Sequence, residues 1–438
     1  MICALFSSLF SPLSSLLSST LVLSKAMTDL ADKLKSLGVQ LGARNLPPPQ
    51  RRTEAYAIEN IVSGQFQPTP HGEVFVVDRP YPAAYRHGQV GLWPAASLQP
   101  IAAWAQELPI VDAPLEQFVF LDTETSGLTG GAGTYTFLIG AGRFEGDDFR
   151  LAQFFIRDPA EEPAQLAALT KFIEPGRVMV TFNGKAFDAP LLNSRYLLNG
   201  QESPLPHLAH LDLLPLARRL WRDRLPSRRL GNLETEILRL ERAEEEVPGW
   251  LIPSIYFDYL RSGDARSLKG VFYHNAMDVL AMAALLNHTS QMLADPLGQA
   301  VEYALDLVAI GKLYEALGHI ETAAHLFEQG MARNDLPEEH YWETQRRLSL
   351  LHKRNDNINA AIRVWELAAE GRQIYAHVEL AKYYEHKQRD YQTALHWTES
   401  ALTLLNSPTT ASYERREWLR DVKHRLARLQ RKLEGKSP

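Results

Sequence analysis

The chain is expected to fold as an α/β domain on a mixed sheet flanked by helices, followed by an all-α array of paired helices. Two patterns lead there. Between residues 116 and 292, three consecutive strand patterns give way to alternating helices and strands, the order that a layered mixed sheet requires. Beyond residue 300 the strand patterns stop, and helix pairs take over with small residues recurring at Ala323, Ala361 and Ala394, spaced 38 and then 33 apart.

At 438 residues the chain exceeds one ordinary core, so two or three domains are expected. Its composition, 45% apolar and 22% charged, is that of a soluble globular protein. A formal net charge of −6 argues against a generally basic nucleic-acid coat. It leaves room for an acidic metal site beside a local basic patch. Cys3 is the single cysteine, which excludes intrachain disulfides and a cysteine-rich zinc site and fits a reducing compartment. Residues 1–26 are apolar and serine-rich, with no charge before Lys25. They lack the basic start of a signal peptide, and Pro12 and the serines weaken a membrane-anchor reading. An over-extended start or leader is expected, with the working chain opening near Met27, no membrane span and a cytoplasmic location.

Residues 27–52 read as a helix and a proline-rich basic linker, NLPPPQRR. Residues 53–115 are a mixed segment with one clear strand, EVFVVD (73–78), expected as a small clasp on the 116–292 domain. In 116–160, FVFLDTE, TFLIGAGRF and LAQFFIR read as strands, joined by a glycine-rich turn and the polar EGDD. A helix near 161–174, a buried strand VMVTF (178–182), a helix near 186–198 and a short strand HLDLL (210–214) come next. A long helix over about 268–291 carries YHNAMDVLAMAALLNH and closes the domain. In the array, 300–435, the stretch GKLYEALGHIETAAHLFEQG resembles a tetratricopeptide repeat in Gly311, Tyr314, Gly318, Ala323 and Phe327, a family whose period is about 34. The small residues let helices approach closely. So few repeats are near the minimum for a continuous core, and they are expected to lean on the preceding domain.

Four carboxylates in three short motifs carry the chemistry. In FVFLDTETSGL, Asp122 and Glu124 sit two apart at a strand end, and period-two alternation sends both to one face. In VTFNGKAFDAPLL, Asp188 comes after a strand at the start of a helix; in YHNAMDVLAM, Asp278 lies inside an apolar helix, where a charge is costly unless paired or bound to metal. Each alone has an ordinary reading: a surface turn, a helix N-cap, an interior ion pair. Together they form a set of hard oxygen ligands without cysteine, suited to Mg²⁺ or Mn²⁺. Two such ions can hold a scissile phosphate between attacking water and leaving oxygen.

These motifs resemble those of the DEDD-type 3′–5′ exonucleases: LDTETSG the first, FNGKAFD the second, HNAMD the third. More broadly, residues 70–290 resemble the YprB-like RNase H-fold proteins of bacteria, which also can carry tetratricopeptide repeats. The resemblance implies an RNase H-like fold and a two-metal nuclease site of Asp122, Glu124, Asp188 and Asp278. It also implies Tyr four residues, or His five residues, before the last Asp. Here the order is exchanged, with Tyr273 five before and His274 four before. On a helix the fourth residue back lies about 40° from Asp278 and the fifth about 140°. His274 is therefore the expected partner of the attacking water.

Around this set, Lys185 is expected at a phosphate, Asn183 beside Asp188, and the glycine-rich loop 127–135 near a nucleic-acid strand. Asp212 is read as structural. The run PLARRLWRDRLPSRRL (215–230) holds Arg218, Arg219, Arg222, Arg224, Arg228 and Arg229 against Asp223. Arg222, Arg228 and Arg229 are the expected phosphate contacts, with Trp221 stacking on a base; a solvated helix face is the plainer alternative. A second basic run, 413–436, is expected as a capping helix with ion pairs along itself. The function expected is exonucleolytic cleavage of DNA or RNA, with the array binding a partner protein or extending the substrate path. The alternative is a weak or inactive scaffold that acts mainly through its repeats.

Overall fold

The computed structural model of this chain describes residues 54–127, 133–242 and 246–435. The expectations for residues 1–52, and most of that for the glycine-rich loop, lie outside them. A seven-stranded sheet runs in the order β1-β2-β7-β6-β5-β8-β9. Its strands are β1 (Gln65–Thr69), β2 (Gly72–Pro82), β5 (Phe118–Thr125), β6 (Thr136–Glu145), β7 (Asp148–Phe155), β8 (Val178–Thr181) and β9 (Ala209–Asp212). The hairpin β3 (Arg86–His87) and β4 (Val90–Gly91) stands apart from it. From β1 to β5 neighbours are antiparallel, while β5, β8 and β9 are parallel. The sheet is mixed, as expected. The 73–78 strand does more than clasp it: β2 pairs with β7 from Phe75 to Pro82 and extends the sheet edge.

The two faces of β5 reflect its alternation. Phe118 and Phe120 enter one core with Phe144, Phe149, Val180 and the helix α6 (Leu268–Ala294). Val119 and Leu121 enter the opposite core with α2 (Glu162–Ile173) and α3 (Asp188–Leu198). Every residue from Val279 to Leu286 in α6 is buried, as befits a helix apolar all round. The sheet covers one side of it. Ile101 and Ala102 of α1 (Gln99–Ala105) and Leu216 and Leu220 of α4 (Leu213–Trp221) complete the same core. A further helix, α5 (Ile252–Ser262), packs Tyr256 against Phe137 of β6, rings stacked at 4.1 Å. No helix among the described residues is long and apolar enough to cross a membrane.

Seven helices make up the array: α7 (Ala304–Ala316), α8 (Ile320–Met331), α9 (Glu338–Arg354), α10 (Ile358–Glu370), α11 (Ile374–Tyr383), α12 (Tyr391–Asn406) and α13 (Ser412–Glu434). Ala323, Ala361 and Ala394 are fully buried in α8, α10 and α12. Four residues on, Phe327, Trp365 and Thr398 are buried too. Gly311 shows why small residues recur, since a Cβ there would stand 2.6 Å from the Phe327 ring. The array leans on the sheet domain. Leu307, Ile310 and Leu313 of α7 share the core of Leu220 and Trp221, and Arg224 pairs with the buried Asp306 at 2.8 Å. In α13 the cations turn outward from their own helix: Arg425, Arg428 and Lys432 converge on the buried Glu385. Pairing between helices thus replaces most of the pairing expected along it.

Candidate active site

The alternation that buries Phe118 and Phe120 puts Asp122 and Glu124 on the face covered by α6. There Asn275 of α6 donates Nδ2–H to Asp122 Oδ2 at 2.8 Å. Its Oδ1 accepts from Gln153 Nε2 at 2.9 Å, which also donates to the Phe272 carbonyl at 2.8 Å. Gln153 and Asn275 are both buried. Gly140, opposite Asp122 in the ladder, makes the room. A Cβ at 140 would stand 2.3 Å from Asn275 Oδ1.

Asp188 opens α3. The chain leaves β8, reverses at Asn183 in the left-handed region (φ 70°), which asparagine tolerates, and enters the helix. Asp212 at the end of β9 accepts the backbone N–H of Asn183 at 2.7 Å and of Lys185 at 3.1 Å, pinning that turn. Thr123 donates its hydroxyl to Asp188 Oδ1 at 2.5 Å. Asn183 therefore shapes the turn, and Thr123 is the side chain that orients Asp188.

Asp278 lies one helical turn beyond His274, and His274 Nε2 stands 3.7 Å from Asp278 Oδ2. Glu246 Oε1 is 3.3 Å from His274 Nδ1. Tyr273 lies near Tyr85, whose hydroxyl is pushed up to about 12 chiefly by burial, with Tyr81, Tyr273 and Glu234 adding. The guanidinium of Arg242 donates to Asp278 Oδ1.

The carboxylates sense one another. Burial, then the charges of Asp278 and Asp188, push the Asp122 carboxyl well above the usual range, against the pull of Asn275 and Arg242. Glu124 is raised likewise, by burial and then by Asp122, Asp278 and Asp188. Asp188 is pushed up to about 6 by burial, with Asp212 adding and Thr123 opposing. These half-buried acids raise one another's pKa because their negative charge exceeds what Arg242 balances, and their donors are all hard oxygens. That chemistry fits Mg²⁺ or Mn²⁺. As the side chains stand, no three acidic or imidazole groups among the described residues converge closely enough to grip an ion; Arg242 is bound to Asp278 instead.

Asp122 and Asp188 line a cleft of about 570 Å³ with Thr123, Asn183, Phe187 and Ser194. Phe187 is 60% exposed there. A second cleft of about 540 Å³, between hairpin and array, contains none of the four carboxylates. Lys185 is half exposed, its ammonium 4.0 Å from Glu107. In the arginine run, Arg222 is exposed and Arg229 lies on the surface. Arg228 donates to the Leu225 carbonyl at 2.7 Å, while Arg219 and Arg224 turn into the array. Trp221 is fully buried in the core, so it offers no ring to a base.

Sequence patterns do not single out Gln153, Thr123 or Asn275. Asn275 does carry a signal, being polar in an apolar helix and three residues before Asp278. Gln153 and Thr123 carry none.

Residues 119–290 match the RNase_H_2 family of the RNase H superfamily. The chain is 32% identical over 334 residues to the uncharacterized protein YprB of Bacillus subtilis (strain 168), a match spanning 74% of this chain and 79% of YprB. Among solved structures it is similar to the family B DNA polymerase of the hyperthermophilic archaeon Pyrobaculum calidifontis, at 16% identity and a TM-score of 0.28. That match spans 46% of this chain and 29% of the polymerase, and a likeness so slight carries no argument.

Proposed function

This chain belongs to the YprB family of RNase H-superfamily proteins, and from that premise we propose that it is a metal-dependent nuclease. Its finer reading is a 3′–5′ exonuclease acting on DNA or RNA. The observation that carries this is the set of half-buried carboxylates, Asp122, Glu124 and Asp188, each raised in pKa by partial desolvation and neighbouring acids.

Asp122, Glu124, Asp188 and Asp278 would hold two Mg²⁺ or Mn²⁺ ions. Such ions, when bound, make water a stronger acid and neutralise charge on a scissile phosphate. The chain's own groups do the rest. Asn275 and Thr123 fix the orientation of Asp122 and Asp188, leaving little reorganisation for the reaction. His274, beside Asp278, takes the proton from the attacking water. Phe187 gives the terminal base an apolar surface at the mouth of the cleft. Lys185, Arg222, Arg228 and Arg229 draw in the phosphate backbone, and the array offers a partner protein a surface apart from the cleft.

One observation favours the second reading, a weak or inactive scaffold: Asp278 is already paired with Arg242. The two readings separate in a cleavage assay with Mn²⁺. Asp122→Ala and Asp278→Ala should each abolish cleavage by orders of magnitude while the protein stays folded. Wild-type rates in both folded variants would overturn the nuclease reading.

A further inference from the structure

We propose that Arg242 is a built-in counter-cation that competes with divalent metal for Asp278 and so sets the metal affinity of the site. The inference rests on the nuclease reading above and names a control on it. Arg242 is held in a manner that an incidental surface arginine is not. Its side chain is only 7% exposed. Nε donates to Glu234 Oε2 at 2.6 Å, Nη1 donates to Glu246 Oε1 at 2.6 Å and lies 3.3 Å from His274 Nδ1, and Nη2 donates to Asp278 Oδ1. One guanidinium thus joins the last carboxylate of the site, the imidazole beside it, and two acids outside the metal set.

Those two acids give the device its second position. Glu234 is fully buried and fixed from the other side by His87 Nε2 at 2.7 Å. Together with Glu246 it retains Arg242 whether or not Asp278 does. Leaving Asp278 therefore strips the guanidinium of one carboxylate, not of all its counter-charge. Two cations on Asp278 repel each other, whereas one suffices to balance it. The carboxylate accordingly chooses between Arg242 and metal, and each weakens the other's hold by the same factor. The arginine cannot leave the competition by losing its proton.

The test is calorimetric titration of the full chain with Mn²⁺ alone, without nucleic acid, in wild type, Arg242→Lys and Arg242→Gln. Loss of the guanidinium should tighten Mn²⁺ binding by about tenfold or more, within the usual range of coupling between two ligands. Arg242→Lys should fall between. Because Arg242→Gln leaves Glu234 buried beside His87 alone, the double variant Arg242→Gln/Glu234→Gln serves if the single one does not fold. Tighter binding in any folded variant lacking the guanidinium supports the inference. So does binding by that variant where wild type shows none. Equal or weaker affinity than a binding wild type overturns the inference and leaves the nuclease reading intact. Absence of Mn²⁺ binding in wild type and variants alike overturns both.

Discussion

Gly140→Ala places a methyl group where Asn275 now lies, and its effect can be worked out from the geometry. The new Cβ would stand 2.3 Å from Asn275 Oδ1, 2.9 Å from Cγ and 3.0 Å from Nδ2, so the amide must leave. Overpacking of this kind costs about 1–3 kcal/mol. Displacing Asn275 also removes the hydrogen bond to Asp122 and the one received from Gln153, leaving buried polar groups short of partners at about 1–3 kcal/mol. A glycine with no functional group, once replaced, is thus expected to cost the protein about 2–6 kcal/mol of stability and to weaken Mn²⁺ binding through Asp122. Asn275→Ala alone should cost about 1–3 kcal/mol by the second route only. The double variant is the informative one. With the amide gone the methyl no longer clashes, so its cost should fall well below the sum of the two singles, as expected for residues in contact. Urea unfolding of the four proteins, monitored through the sheet domain, measures this cycle. Additive costs would refute the account of Gly140 as the residue that makes room for the Gln153–Asn275–Asp122 chain.

Two further expectations concern the same site. Asp188 has its pKa raised from an ordinary 3.8 to about 6, so its contribution to stability is present below the ordinary carboxylate range and is lost as pH rises through about 6. Metal-free protein should therefore lose thermal stability between about pH 4 and 7, and the melting-temperature gain from Mn²⁺ should grow over that interval; a gain independent of pH would contradict the shared-carboxylate account. His274→Ala should lower the cleavage rate far more than Tyr273→Phe, by about 10²–10⁴-fold if the imidazole assists the water; single-turnover rates in saturating Mn²⁺ decide it, and the reverse ranking would move that role to the tyrosine.

How much of the fold and site is legible in the sequence depends on the range of each interaction. The face of Asp122 and Glu124 is legible because strand alternation is local: Phe118 and Phe120 mark the same side. So is the helical phase of His274 against Asp278, four residues apart. Trp221 is legible yet easily misread as a base-stacking ring, since Leu214, Ala217 and Trp221 form an apolar stripe at spacings of three and four, and all are buried. Gln153 has no such local mark. Its contact with Asn275 spans 122 residues and leaves no pattern nearby. The same holds for β2, whose place in the sheet depends on meeting β7 some seventy residues on. Arg242 reads in sequence as one charge among ERAEEE, and only the fold carries it to Asp278.

Digestion of 5′-labelled single- and double-stranded DNA and RNA oligonucleotides tests the central claim most directly, run with Mn²⁺ or Mg²⁺, with a chelator, and with Asp122→Ala. The account predicts metal-dependent shortening from the 3′ end of at least one substrate, abolished by the chelator and by the substitution. Intact substrates throughout, from a protein shown to bind Mn²⁺, would contradict it; so would cleavage that persists in the chelator or in folded Asp122→Ala.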